Sequence, residues 1–379
     1  MKRLIICCDG TWNSLQTAHQ GTHSNVVEMA RAILPMDYSA SSTGDKAAIP
    51  QIVFYDDGVG TGYSKVDRFL GGAIGVGIDA NILEAYRFLY MNYHDGDEIY
   101  LFGFSRGSYT VRSVVGLINR VGLLRRECLE QIGVAYQLYR KVVPNIKAKA
   151  YYQFQQELID FRKANTLDRS IPIKLLCCWD TVGSLGIPDI PFLRPVRWFS
   201  ENILNHRYSF HDMNLSPLIE NAIHAIALNE DRRVFDLTPM LIDENREPKP
   251  NLEQCWFIGN HSCCGGGVRE LSSINFIWVV ETIKQLGLQL QLDSAVIDAN
   301  RQAQNYLYAY NTPATKRANR LWWVLNWPIF RPHQRQQTPE TAQYFKVHPT
   351  VKQRLQVDPI YANSSIPINI SGQTAIAHT

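Results

Sequence analysis

The sequence predicts an α/β fold: a doubly wound, mostly parallel sheet with a helical cap insertion. Short extended apolar runs recur at residues 4–8, 52–55, 99–102, 173–178 and 255–258, and most are followed at once by Asp, Gly or Ser. Runs of this length without alternation are expected of strands buried on both faces. Helical patterns lie between them, and strand–helix alternation predicts parallel strands joined by right-handed crossovers. The chain has 379 residues, 45% of them hydrophobic and 19% charged. That suffices for a large core and excludes a disordered, collagen-like or coiled-coil chain.

The first strand, 4–8, follows Met1-Lys2-Arg3 and breaks at Asp9-Gly10. It is too short for a signal peptide or a membrane span, so a cytoplasmic protein is expected, with secretion by a non-classical route left open. A helix over 25–34 leads to strand 52–55 and to Gly58-Val59-Gly60-Thr61-Gly62. That stretch lacks both the lysine of a phosphate-binding loop and the third glycine of a dinucleotide fingerprint, and Gly71-Gly72-Ala73-Ile74-Gly75-Val76-Gly77 does not follow a strand. Both read as tight loops beside the strand ends. Helices over 78–93 and 108–122 flank strand 99–102, and helices over 129–139 and 151–164 fill an insertion, 127–169, expected to cap one sheet end and gate it. Strand 173–178, a helix over 216–228, strand 255–258 and a helix over 273–286 complete a single domain, 1–379. The tail, 335–379, is polar with scattered Pro and is expected to wrap the surface as loops.

The formal charge of +3 argues against nucleic acid as a partner. Six of the eight cysteines form adjacent pairs, Cys7-Cys8, Cys177-Cys178 and Cys263-Cys264. Neighbours do not readily bridge, and no C-x-x-C spacing offers a zinc site. They read as small core side chains, with no metal and no cofactor.

Gly103-Phe104-Ser105-Arg106-Gly107 carries the chemistry. It follows a strand and opens a helix, the context that makes G-x-S-x-G a nucleophile elbow of an α/β-hydrolase-like sheet. Gly103 and Gly107 remove side chains that would clash on a sharp turn, and Ser105 stands at the helix N-terminus. There the Arg106 backbone N–H can meet a developing oxyanion. A base and an orienting acid are expected at later strand ends. Strand 173–178 runs into Trp179-Asp180-Thr181, and strand 255–258 into Gly259-Asn260-His261. The order Ser105, Asp180, His261 is the one this fold uses. A second oxyanion donor is expected from Gly10 or Thr11, after the first strand. His224 reads as structural within a helix, and His348, a rival base, lacks a convincing preceding strand.

Several motifs in order carry a family resemblance. Asp9-Gly10-Thr11-Trp12-Asn13, Tyr55 with Gly58-Val59-Gly60-Thr61, the elbow at Ser105, Trp179-Asp180-Thr181-Val182-Gly183, and Trp256-Phe257 with Gly259, His261-Ser262 and Gly265-Gly266-Gly267 resemble the catalytic domain of type VI secretion phospholipase effectors of the first lipase class. The resemblance implies a serine lipase or esterase in which Ser105 matches the nucleophile, Asp180 the acid and His261 the base. Secreted members cleave acyl chains from glycerophospholipids. One departure stands out: the family reads His-Ser-Asp around the base, and this chain has His261-Ser262-Cys263. If that aspartate orients the base, activity is lowered here; if Asp180 does so, the change is tolerated.

The expected function is hydrolysis of lipid or phospholipid acyl esters by a Ser-His-Asp triad. The alternatives are a weakened or inactive binding protein on the same fold, or an esterase for thioesters or small esters. Trp322 and Trp323, in an aromatic run flanked by Arg317, Arg320 and Arg331, are candidates for peripheral membrane contact or for packing in a lid or core. Protein partners are not specified by any motif.

Overall fold

The computed structural model describes residues 1–10, 23–39, 48–58, 77–141, 149–182, 214–231, 235–309, 335 and 342–362. In chain order the elements are β1 (Arg3–Cys8), α1 (Asn25–Ala32), β2 (Met36–Asp37), β3 (Ile49–Asp56), α2 (Ile78–Asn92), β4 (Glu98–Phe104), α3 (Arg106–Val121), α4 (Ile132–Arg140) and α5 (Lys149–Asn165). They continue with β5 (Leu175–Trp179), β6 (Asn221–Ala227), β7 (Asn251–Phe257), α6 (His261–Gly265), α7 (Arg269–Gln285), α8 (Ser294–Ala303), β8 (Lys346–Val347), α9 (Pro349–Val357) and α10 (Pro359–Ala362).

The sheet runs β2-β3-β1-β4-β5-β6-β7-β8 and is parallel throughout except at β2, which pairs antiparallel with β3. Side chains alternate between its faces. Ile5, Cys7, Phe102, Cys177 and Ile223 point to the layer of α1 and α7, where Met29, Phe276 and Val280 meet them. Leu4, Ile6, Cys8, Leu101 and Cys178 point to α2 and α3, against Ile82, Tyr86, Val111 and Val115. Both faces of the central strands are therefore dry, which is why the sequence shows apolar runs there without alternation. All eight thiols are buried and unbridged. Burial pushes the Cys178 thiol up to about 11, so it behaves as an apolar filler. Among the described residues no helix is long and apolar enough to cross a membrane.

Three expectations are corrected. Residues 221–227 are strand, not helix. A short apolar run buried on both faces has no period to separate the two. His224 accordingly lies on β6. The tail is not all loop, since β8, α9 and α10 lie within it. Val347, Val351 and Tyr361 enter the core, and β8 directly precedes His348. In the 127–169 insertion, α4 and α5 lie along α3 on one sheet face. Tyr139 covers Gly116, and the Asn165 carbonyl accepts from the Arg125 N–H at 2.9 Å. Their apolar residues Ala135, Leu138, Phe154 and Leu158 serve that face rather than the strand ends.

Because the strands are parallel, their C-terminal ends share one edge. Asp9 follows β1, Ser105 follows β4, Asp180 follows β5, Glu230 lies just past β6 and His261 just past β7. The order reverses at β1, which has β3 on one side and β4 on the other. Ligands of open α/β sheets bind in the crevice that such a reversal opens.

Candidate active site

Ser105 sits between β4 and α3 with φ 56° and ψ −119°, a left-handed backbone that a non-glycine residue adopts only under constraint. The constraint is visible. The Ser105 N–H donates to the Trp179 carbonyl at 3.0 Å, and the Ser108 hydroxyl donates to the Gly103 carbonyl at 2.8 Å. A Cβ on Gly103 would stand 2.7 Å from the Gly107 backbone, and one on Gly107 2.0 Å from the Cys8 carbonyl oxygen. The two glycines thus let the first turn of α3 press onto the end of β1, and the serine between them is turned toward the sheet edge.

Asp180 follows β5, also at positive φ (42°), with its N–H donating to the Ala225 carbonyl at 2.8 Å. Its carboxylate is fully buried and accepts from four directions. Oδ1 takes the Ala227 N–H at 2.9 Å and Arg335 Nη1 at 2.6 Å; Oδ2 takes His261 Nδ1 at 2.5 Å and Arg335 Nη2 at 2.9 Å. Burial alone would raise this carboxyl; the Arg335 charge and the His261 hydrogen bond outweigh it and hold the group well below the usual carboxylate range.

His261 opens α6, whose N-cap Asn260 accepts from the Cys263 N–H at 3.1 Å. The His261 N–H donates to Glu230 Oε2 at 3.0 Å. The imidazole lies between the rings of Phe104 and Phe235, each centroid 4.8 Å away. Gly265 leaves the space that the Phe104 ring fills. With Asp180 ionised and able only to accept, Nδ1 carries the proton, and Nε2 is left to accept from Ser105 Oγ at 2.7 Å. The structure therefore brings Ser105, His261 and Asp180 together in one hydrogen-bonded chain, although His261 lies 156 residues from Ser105 and 81 from Asp180.

The expected oxyanion donors divide. The Arg106 N–H stands at the first residue of α3, directly after Ser105. Gly10 is a correction: its N–H donates to Asp9 Oδ1 at 2.6 Å, so it is committed to a buried carboxylate. Asp9 Oδ2 accepts from Ser24 at 2.5 Å and from Tyr55 at 2.8 Å, tying β1, α1 and β3 together. Thr11, Trp322, Trp323 and residues 59–62 lie outside the described residues. Among the described residues no group of His, Cys, Asp and Glu has the geometry of a metal site.

Arg335, Phe235 and Glu230 escaped the sequence reading, because none belongs to a motif or follows a periodic run. His224, read as merely structural, has a definite task beside the site. Gln254 Oε1 also accepts the Met240 N–H, so His224 Nδ1 donates to it at 3.1 Å, and Nε2 accepts the Thr181 N–H at 3.1 Å. The ring thus fixes the peptide that follows Asp180. His348 is an N-cap, accepting from the Thr350 N–H and stacked on Phe257, on a different part of the edge.

Residues 2–282 match the family described as T6SS, phospholipase effector Tle1-like, catalytic domain. The uncharacterized protein YEL023C of Saccharomyces cerevisiae is 27% identical over 255 residues, covering 63% of this chain and 33% of that protein. A crystal structure of an uncharacterized protein from Pseudomonas aeruginosa aligns with 87% of this chain and 51% of its own, at 14% identity and a TM-score of 0.39. The structure of the Tle1 effector bound to the VgrG spike of the type 6 secretion system aligns with 70% of this chain and 51% of its own, at 19% identity and a TM-score of 0.34. The chain spans about half the length of these solved chains and a third of the yeast protein. On the match over residues 2–282, the chain belongs to the Tle1-like phospholipase effector catalytic-domain family.

Proposed function

We propose that this protein hydrolyses the acyl esters of lipids, phospholipids foremost, with Ser105 as nucleophile, His261 as general base and Asp180 as the acid that orients it. The observation that carries this reading is the unbroken chain from Ser105 Oγ through both His261 nitrogens to Asp180, with spacings of 2.7 and 2.5 Å. A serine hydroxyl is a poor nucleophile on its own and gains reactivity from a base within hydrogen-bond reach. His261 Nε2 takes the Ser105 proton as Oγ attacks the ester carbonyl. The tetrahedral oxyanion meets the Arg106 N–H at the positive end of α3. His261 then gives its proton to the leaving alcohol, and water, deprotonated by the same nitrogen, releases the fatty acid.

The aspartate that the family carries two residues after the base is Cys263 here. This is tolerable on the reading that Asp180 orients the ring, because Nδ1 already has its carboxylate partner. The lipid class of the substrate is supported by family membership. Replacing Ser105→Ala should lower hydrolysis of a short p-nitrophenyl ester and of a phospholipid by at least about 10³-fold, with unchanged near-UV circular dichroism. A fluorophosphonate should label the unsubstituted chain and leave that variant untouched. Undiminished turnover in Ser105→Ala refutes the assignment.

A further inference from the structure

Arg335 lies beyond the stretch matched to the family, which ends at residue 282, yet its side chain is buried against Asp180. Nη1 donates to Oδ1 and Nη2 to Oδ2, at 2.6 and 2.9 Å, so the planar guanidinium spans both carboxylate oxygens. The same two nitrogens also reach carbonyls, Nη1 that of Ala227 at 2.8 Å and Nη2 that of Phe235 at 2.5 Å. Phe235 in turn stacks on the His261 ring. One side chain therefore holds the acid, the loop after β6 and, through Phe235, one wall of the base.

We infer that Arg335 is a positioning residue for acyl transfer: it fixes the Asp180 carboxylate toward His261 and offsets the charge that carboxylate presents to the ring. The inference rests on Ser105, His261 and Asp180 being the reacting set. A buried carboxylate with no other partner favours the imidazolium form of an adjacent histidine, and an imidazolium cannot accept the Ser105 proton. A guanidinium on the far side of that carboxylate opposes this. Among the described residues, the charged groups facing His261 are Asp180 after β5, Glu230 after β6, which holds the His261 backbone N–H, and Arg335. Ser105 is its neutral partner after β4, and on its own helix Cys263 and Cys264 are buried. Arg335 is the positive member of that set. Its two hydrogen bonds to the carboxylate, anchored by two more to backbone carbonyls, also stop the carboxylate from rotating off Nδ1, which no point charge could do as well.

The test uses the full chain, with fluorophosphonate labelling rates measured from pH 5 to 9 and a thermal midpoint recorded for each variant. Arg335→Met removes the charge, and the acidic limb of the labelling profile should move up by about one pH unit, so that labelling at pH 6 falls about five-fold more than at pH 8. Arg335→Lys keeps the charge but cannot span both oxygens. Its limb should stay within half a unit of the unsubstituted chain while its plateau rate falls several-fold. An unchanged limb in folded Arg335→Met overturns the inference. So does a limb in Arg335→Lys displaced as far as in Arg335→Met, or a Lys plateau equal to that of the unsubstituted chain. The last of these decides the matter even if Arg335→Met does not fold. Failure of the unsubstituted chain to label at all would instead remove the proposed function, so the two results are distinct.

Discussion

At Gly107 the chain has no room for a methyl group: an added Cβ would meet the Cys8 carbonyl oxygen at 2.0 Å and the Asp9 oxygen at 2.6 Å, both backbone atoms that cannot swing aside. Gly107→Ala should therefore cost about 3 kcal/mol or more in urea unfolding. Gly133→Ala, in α4 with nothing within 4 Å of the new Cβ, should gain about 0.5–1 kcal/mol from helix propensity. Equal costs at the two sites would remove the steric account of the elbow. This contrast also explains what the sequence made legible at the site. Ser105, Asp180 and His261 could be read because each sits directly past a strand, and because the serine needs small neighbours at fixed spacing. Arg335 could not: a single arginine between prolines and glutamines has no period and no motif, and only the fold brings it to Asp180. Gly10 misled for a related reason, since a backbone N–H at a strand end says nothing of which acceptor it will find.

Among the elements, β6 shows where sequence patterning fails. Asn-Ala-Ile-His-Ala-Ile-Ala is buried at every position, so neither a two-residue nor a 3.6-residue rhythm survives. The histidine within it is the informative residue. Burial, with Arg112 nearby, pushes His224 down from 6.5 to about 3, and its ring must be neutral for Nε2 to accept the Thr181 N–H. Above pH 6.5 neither folded nor unfolded chain protonates here. Between 6.5 and about 3 the unfolded chain takes up a proton that the folded chain refuses. Stability attributable to this site is thus intact above 6.5 and lost progressively as pH falls toward 3, at up to about 1.4 kcal/mol per unit. His224→Gln should flatten the dependence of the urea midpoint on pH between 7 and 4, although its midpoint at pH 7 is lower. Parallel curves for the two proteins would show that His224 carries no such linkage.

On the scale of the whole molecule, the domain is not closed at the end of the family match. Beyond it, β8 pairs with the edge of β7 through Lys346 and Val347, and Phe345, Val347, Val351 and Tyr361 join the core under α7. At about 1.5–3 kcal/mol for each fully buried side chain, their loss approaches the roughly 5–15 kcal/mol by which a domain is stable at all. It would also bare an apolar strand edge that invites association. A chain ending at Ala303 keeps β1 to β7 and α1 to α8 but lacks Arg335 as well, leaving Asp180 buried without its cation. Such a chain should lose near-UV circular dichroism, associate in size-exclusion chromatography and fail to react with a fluorophosphonate. If it runs as a monomer with a thermal midpoint within a few degrees of the full chain, then the tail is ornament rather than core. If it also labels at the full rate, the burial of Arg335 against Asp180 has no bearing on reactivity.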